Sequence, residues 1–193
     1  MLKYYAGIGS RETPANVCTQ MTTLARELRE RDWVLRSGKA PGADQAFGRG
    51  AGYLAEIWKP WASFEGYDPY DLVPPGLDVV GQSDEDGWLP PTDPWTKTMW
   101  LEAMSEHPNW NSLSQGAQKL MVRNGFQIYG AARTEPVSSF IVCWALLDAK
   151  GKPKGGTSQA IRLARQRDIP VFNLYETPLE LVRKYIENIE RKL

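Results

Sequence analysis

Phe140-Ile141-Val142-Cys143-Trp144-Ala145 is an unbroken apolar run. A strand with one wet face alternates polar and apolar residues, whereas a strand covered on both faces, as in a parallel sheet, reads as continuous apolar sequence. Four further segments fit the same sheet. Residues 3–8 read as a first buried strand, Trp33-Val34-Leu35-Arg36 as a second and Ala55-Glu56-Ile57-Trp58-Lys59 as a third, cut off by Pro60. After the 140–145 run, Pro170-Val171-Phe172-Asn173-Leu174 makes a fifth. Helical patterns lie between them. Val17, Met21, Leu24 and Leu28 recur on one helical face behind a Thr13 cap and Pro14 at the first helical position. A second helix opens near Asp44, a third carries Ala160, Ile161 and Ala164 behind Thr157, and an amphipathic helix of about 178–191 closes the chain. Strands alternating with helices predict right-handed crossovers and an α/β, Rossmann-like, doubly wound, mainly parallel sheet of about five strands.

From Trp61 to about Glu135 the alternation stops. Pro69, Pro74, Pro75, Pro90, Pro91 and Pro94 punctuate its first half, and its aromatics, Trp88, Trp95, Trp100 and Trp110 among them, are too many for a disordered spacer. It is expected to be an insertion into one domain spanning 1–193, with helices near 94–106 and 112–126. Its tryptophans suit a core or an oligomer contact.

The 193 residues carry 23 Lys+Arg and 23 Asp+Glu, so the net charge is zero and no run of five like charges occurs. That argues against a broad nucleic-acid footprint, which needs clustered cations, but leaves room for a local basic groove. No apolar run approaches the ~18 residues of a membrane span. A soluble, cytoplasmic protein is expected. Cys18 and Cys143 have neither disulfide nor zinc spacing, and a single His107 builds no metal site or catalytic triad, so neither cofactor nor metal is expected.

Three strand-to-helix turns are rich in small residues: Gly7-Ile8-Gly9-Ser10-Arg11, Ser37-Gly38-Lys39-Ala40-Pro41-Gly42-Ala43-Asp44, and Lys154-Gly155-Gly156-Thr157. Such turns aim main-chain N–H groups at an anion, and the positive end of the following helix adds to them. Gly7, Gly9, Gly38, Gly42, Gly155 and Gly156 are candidates for ligand contact, although glycine serves a tight turn equally well. Ser10, Ser37 and Thr157 offer hydroxyls to phosphate or to helix caps. Arg11 and Lys39 match phosphate or carboxylate, against a reading as solvated surface charge. Asp44 suits a ribose hydroxyl or a helix cap. Arg123 and Asn124 either reach a pocket or pair locally. Trp61, after Pro60, is placed to stack a base.

The three turns, with Ile169-Pro170-Val171-Phe172-Asn173, resemble the DprA/Smf and lysine-decarboxylase-like (LOG) Rossmann superfamily, known as SLOG. The segment Met121-Val122-Arg123-Asn124-Gly125-Phe126-Gln127-Ile128-Tyr129-Gly130 followed by 140–144 resembles a DprA-like branch common in phages and mobile elements. The resemblance implies strand order 3-2-1-4-5, a ligand site at the carboxyl edge of the sheet, and a homo-oligomer. It also implies that Gly9-Ser10-Arg11 and Gly155-Gly156-Thr157 meet at the switch point between strands one and four.

Three functions follow from it. The first is capture of a nucleotide or nucleotide-derived signal, of cyclic or ADP-ribose type, with sequestration of a host immune signal as a purpose in a phage. The second is single-stranded DNA binding in recombination. The third is nucleotide N-glycosidase activity. LOG-type relatives that cleave the glycosidic bond place a glutamate shortly after the second glycine-threonine turn. Here that stretch offers Gln159, which cannot act as a carboxylate does, so no catalytic residue is assigned.

Overall fold

The computed structural model describes residues 2–78, 83–84, 87–88, 91–133 and 136–192. The chain runs β1 (Lys3–Gly9), α1 (Ala15–Arg29), β2 (Trp33–Ser37), α2 (Ala43–Ala51), β3 (Ala55–Ile57), β4 (Ser83–Asp84) and β5 (Gly87–Trp88). It continues through α3 (Pro94–Glu106), a 3-10 turn at Trp110–Ser112, α4 (Gln115–Tyr129), β6 (Ile141–Trp144), α5 (Gly155–Gln166), β7 (Val171–Asn173) and α6 (Leu179–Glu190). Five strands form one parallel sheet in the order β3-β2-β1-β6-β7, while β4 and β5 make a small antiparallel pair. This is the Rossmann-like order expected. β1 lies at its centre, with Lys3 opposite Trp33 on one side and Gly9 opposite Trp144 on the other. The chain reverses direction across the sheet between β1 and β6, so their carboxyl ends open a crevice.

Both faces of the sheet are covered, which is why β6 reads as continuous apolar sequence. Tyr5, Val142 and Trp144 face a core with Met21, Leu24 and Leu28 of α1, Phe47 of α2 and Val182 of α6. Ala6, Ile8, Ile141 and Cys143 face the other core, with Met99 and Trp100 of α3, Val122 and Phe126 of α4, and Ile161 of α5. The helices between β3 and β6 thus supply much of one layer. α4 also lines the carboxyl edge of the sheet with Leu120, Met121, Arg123, Asn124 and Gln127, while the Ile128 carbonyl near its end accepts the Ser138 N–H just before β6.

Local boundaries depart from the sequence reading for identifiable reasons. β3 ends at Ile57, and Trp58 bridges to Leu72 instead of extending it. α4 starts at Gln115, where the Ser114 hydroxyl accepts the Ala117 N–H, and ends at Tyr129, capped by Gly130, whose φ of 86° is a conformation glycine adopts without strain. Thr13 does not cap α1, because its hydroxyl donates to the Ser10 carbonyl at 2.7 Å. Thr157 does not cap α5 either. The cap position is Lys154, so Thr157 is the third helical residue. Pro90, the expected boundary near Glu135 and the Trp88 side chain lie outside the described residues. Cys143 is buried and Cys18 half-buried, both as free thiols. No described helix is long and apolar enough to cross a membrane.

α1 and α2 pack most closely at Gly50. A Cβ there would stand 2.7 Å from the Ala25 Cβ and nearer still to the Thr22 carbonyl oxygen. In an exposed helix Gly→Ala gains about 1 kcal/mol, but forced overpacking costs about 1–3 kcal/mol. Gly50→Ala is therefore expected to lower the urea midpoint rather than raise it; an unchanged or higher midpoint would show that the two helices separate freely.

Candidate functional site

At the carboxyl ends of β1 and β6 lies a cavity of about 590 Å³. The turn after β1 contributes Gly9, Ser10, Arg11 and Glu12, and the start of α5 contributes Lys154, Gly155, Gly156 and Thr157. α4 supplies the facing wall through Leu120, Met121, Arg123, Asn124 and Gln127. Ala40 and Asp44 close it from the β2 side, with Leu146 by the α5 turn. The β1 turn is pinned to β6, since the Ser10 N–H donates to the Trp144 carbonyl at 3.0 Å.

Asp44 holds this edge together. Its buried carboxylate sits 3.3 Å from Nη1 of Arg123 on α4 and has the backbone N–H groups of Ala40, after β2, and Gly9, at the end of β1, in its surroundings. Burial pushes the Asp44 carboxyl above its ordinary value, opposed by the Arg123 charge and these hydrogen bonds. Burial likewise draws the Arg123 guanidinium down, and the Asp44 charge opposes that. Arginine keeps its proton in proteins, so the two stand as an ion pair. Arg123 continues into a chain of amides. With the Gln127 oxygen turned to its donors, it accepts from Arg123 Nη1 at 2.8 Å and from the Gly38 N–H, while its nitrogen donates to Asn124 Oδ1 at 3.1 Å. Asn124 in turn donates to Gln159 Oε1 at 2.9 Å. Gln159 is thus a buried partner of Asn124.

The α5 turn is the opposite in character. Lys154 is extended and Gly155 has φ of 71°, so the chain swings into the helix with nothing within 4 Å of where a Gly155 side chain would stand. No described residue supplies an acceptor to the Gly155, Gly156 or Thr157 amides. Exposed, unpartnered first-turn amides at a helix start are backbone geometry of the kind that suits an anion.

The candidate residues divide by geometry. Gly9, Ser10, Arg11, Asp44, Gly155, Gly156 and Thr157 line one cavity. Ser10 Oγ accepts the Glu12 N–H at 3.1 Å, and Arg11 is largely exposed, 3.9 Å from Glu65. Asp44 caps no helix, because its bonds go to the turns after β1 and β2. The remainder face elsewhere. A Cβ on Gly7 would meet the Phe47 ring at 2.5 Å, and one on Gly38 would overlap the Arg123 guanidinium, so both glycines let packed groups approach. Gly42, with φ of 84°, brings α2 against the Ser10 carbonyl. The buried Ser37 hydroxyl donates to the Gly7 carbonyl at 2.5 Å. Lys39 is held by Asp71 at 2.5 Å and Asp68 at 3.4 Å; burial opposes its charge, but the Asp71 hydrogen bond and carboxylate raise its pKa overall. Trp61 packs edge-on against Phe64, ring centroids 5.3 Å apart, and is not among the cavity residues.

Leu120 and Leu146 line the cavity although no motif contains them, whereas Lys154 and Gln127 stand inside the third turn and the 121–130 motif without having been site candidates. Arg123 and Asn124 were visible only as an ambiguous pair on an apolar helix. More than a hundred residues separate the end of β1 at Gly9 from the start of α4 at Gln115, so no local spacing connects them.

No protein-family model matches the sequence, and no curated protein matches it. Among solved structures the chain is similar to DNA processing protein A from Helicobacter pylori, studied for its single-stranded DNA binding mode. The two share 18% identity with a TM-score of 0.48, over 95% of this chain and 73% of the other.

Removing one partner of a buried ion pair costs about 3–5 kcal/mol, while replacing both with apolar groups of similar volume is often close to neutral. Asp44→Asn should therefore destabilise the fold by about 3–5 kcal/mol in chemical denaturation, and adding Arg123→Met should recover much of the loss. A double variant no more stable than Asp44→Asn would mean that Asp44 acts mainly through the Gly9 and Ala40 amides.

Proposed function

We propose that this protein binds a phosphate-bearing small molecule of the nucleotide class, including nucleotide-derived signals, at the crevice between β1 and β6. The observation that carries the reading is the set of unpartnered amides at Gly155, Gly156 and Thr157 on one wall of an open cavity, facing Ser10 and Arg11 on the other. The helix end favours negative charge, Arg11 and Lys154 are exposed cations, and about 590 Å³ falls in the usual range for small-ligand pockets. Capture of such a ligand in a phage, to remove a host immune signal, is one purpose this chemistry would serve.

Single-stranded DNA is the competing occupant. The cavity places two exposed cations, Arg11 and Lys154, beside Glu12, while its third, Arg123, is paired with Asp44; these are few partners for a ligand whose binding rests on neutralising many phosphates. A glycosidase reading is weaker still. Asp44 is committed to Arg123 and two amides, and Gln159 is uncharged and engaged with Asn124. Glu12 at the rim is the remaining carboxylate of the lining.

Titration calorimetry of the full chain with nucleoside phosphates, cyclic nucleotides, ADP-ribose and oligo(dT) tests the reading. A charge-assisted hydrogen bond contributes about 1.5–3 kcal/mol, so Arg11→Ala should weaken binding of the best small ligand by about tenfold or more. Heat from oligo(dT) alone, falling steeply with salt, would favour the DNA reading; folded protein silent towards every probe would remove both.

A further inference from the structure

We propose that the cavity, taken as a receptor for a phosphate-bearing ligand, holds that ligand in one orientation. The charged end sits at the mouth, and an uncharged, flat, hydrogen-bonding group, a nucleobase, lies inward against α4. The inference rests on the reading above and deepens it.

Burial orders the lining from mouth to floor. Arg11, Lys154, Gly155 and Gly156 are exposed, whereas Ile8, Asp44, Arg123, Asn124, Gln127 and Ala160 are buried. The mouth has positive charge and free amides. At the floor the charges of Asp44 and Arg123 cancel, and the polar neighbours are the neutral amides of Asn124 and Gln127. A phosphate pushed to the floor would lose its hydration and meet no net charge, which is costly. A nucleobase meets apolar surface and amides instead. Ligand sites of this kind combine mostly apolar walls with a few fixed polar groups.

The two zones adjoin at Gly156. A Cβ there would stand 3.3 Å from the Met121 Cε, so a residue without a side chain lets this thioether lie directly beside the α5 amides. The Asn124 amide is tied to the same turn, 3.4 Å from the Gly156 carbonyl. Leu146 flanks the other side, its carbonyl accepting the Lys154 N–H at 2.8 Å. A ligand whose phosphate reaches the amides therefore has its next atoms against Met121, a side chain suited to aromatic contact. Charge concentrated at one end is required. A cyclic dinucleotide, with phosphates on both sides of the molecule, fits this polarity poorly.

The test compares inorganic phosphate, ribose 5-phosphate, the four nucleoside 5′-monophosphates and a cyclic dinucleotide by calorimetry on the full chain. At least one monophosphate should bind about tenfold or more tightly than ribose 5-phosphate, and more tightly than the cyclic dinucleotide. Met121→Ala should shrink the ratio of nucleotide to ribose 5-phosphate affinity, and the isosteric Asn124→Asp should do so as well. Ribose 5-phosphate equal to every monophosphate, a cyclic dinucleotide that binds tightest, or a ratio untouched by both variants would overturn the orientation while leaving the anion receptor standing. No binding of any phosphate-bearing probe to folded protein would overturn the receptor and the orientation together.

Discussion

One buried carboxylate joins the elements at the carboxyl edge of this sheet. Asp44 takes amides from the turns after β1 and β2 and the guanidinium of Arg123 from α4, so three segments distant in sequence meet at one group. A lone carboxylate in such a place would be strongly disfavoured, and the Arg123 guanidinium, with the backbone of Ala40 and Gly9, opposes that cost. Two consequences follow. The turn after β2 must let the guanidinium press against it, which is why position 38 has no side chain. The β1 turn is fixed from both sides, by Asp44 below and by the Trp144 carbonyl across the sheet.

The arrangement separates two kinds of polarity that a motif reading merges. The glycines after β1 and β2 serve mainly close packing, against Phe47, Ala43, the Ser10 carbonyl and the Arg123–Asp44 pair. Among the described residues of the three turns, the α5 turn leaves three successive amides without an acceptor beside the cavity. Glycine-rich turns at a sheet edge are therefore not equivalent. What distinguishes them is whether the freed space is filled by protein or by solvent, and that depends on which helix lies overhead.

α4 is that helix. It comes from the segment between β3 and β6, outside the repeating strand–helix pattern, yet it buries Val122 and Phe126 against the sheet and presents Met121, Arg123, Asn124 and Gln127 to the cavity. The same helix contributes to the core and forms one wall of the site. Lys39 and Trp61, by contrast, are drawn off by neighbours in the 58–72 region: Asp68 and Asp71 take the ammonium, and Phe64 takes the indole.

Much of the fold was legible because its signals are local. The unbroken run at 140–145 marks a strand covered on both faces, α1 announces its buried stripe at helical spacing, and small residues mark the turns. The sequence by itself therefore determined the alternating elements and the parallel sheet, since period and propensity act over a few residues. Strand order came from resemblance rather than from spacing. Capping partners, the opposite roles of Gly38 and Gly155, and the capture of Lys39 by Asp71 were decided only by tertiary structure. A hydrogen bond or an ion pair is a matter of ångströms between atoms, and β1, β2, α4 and α5 reach those distances only after the chain has folded.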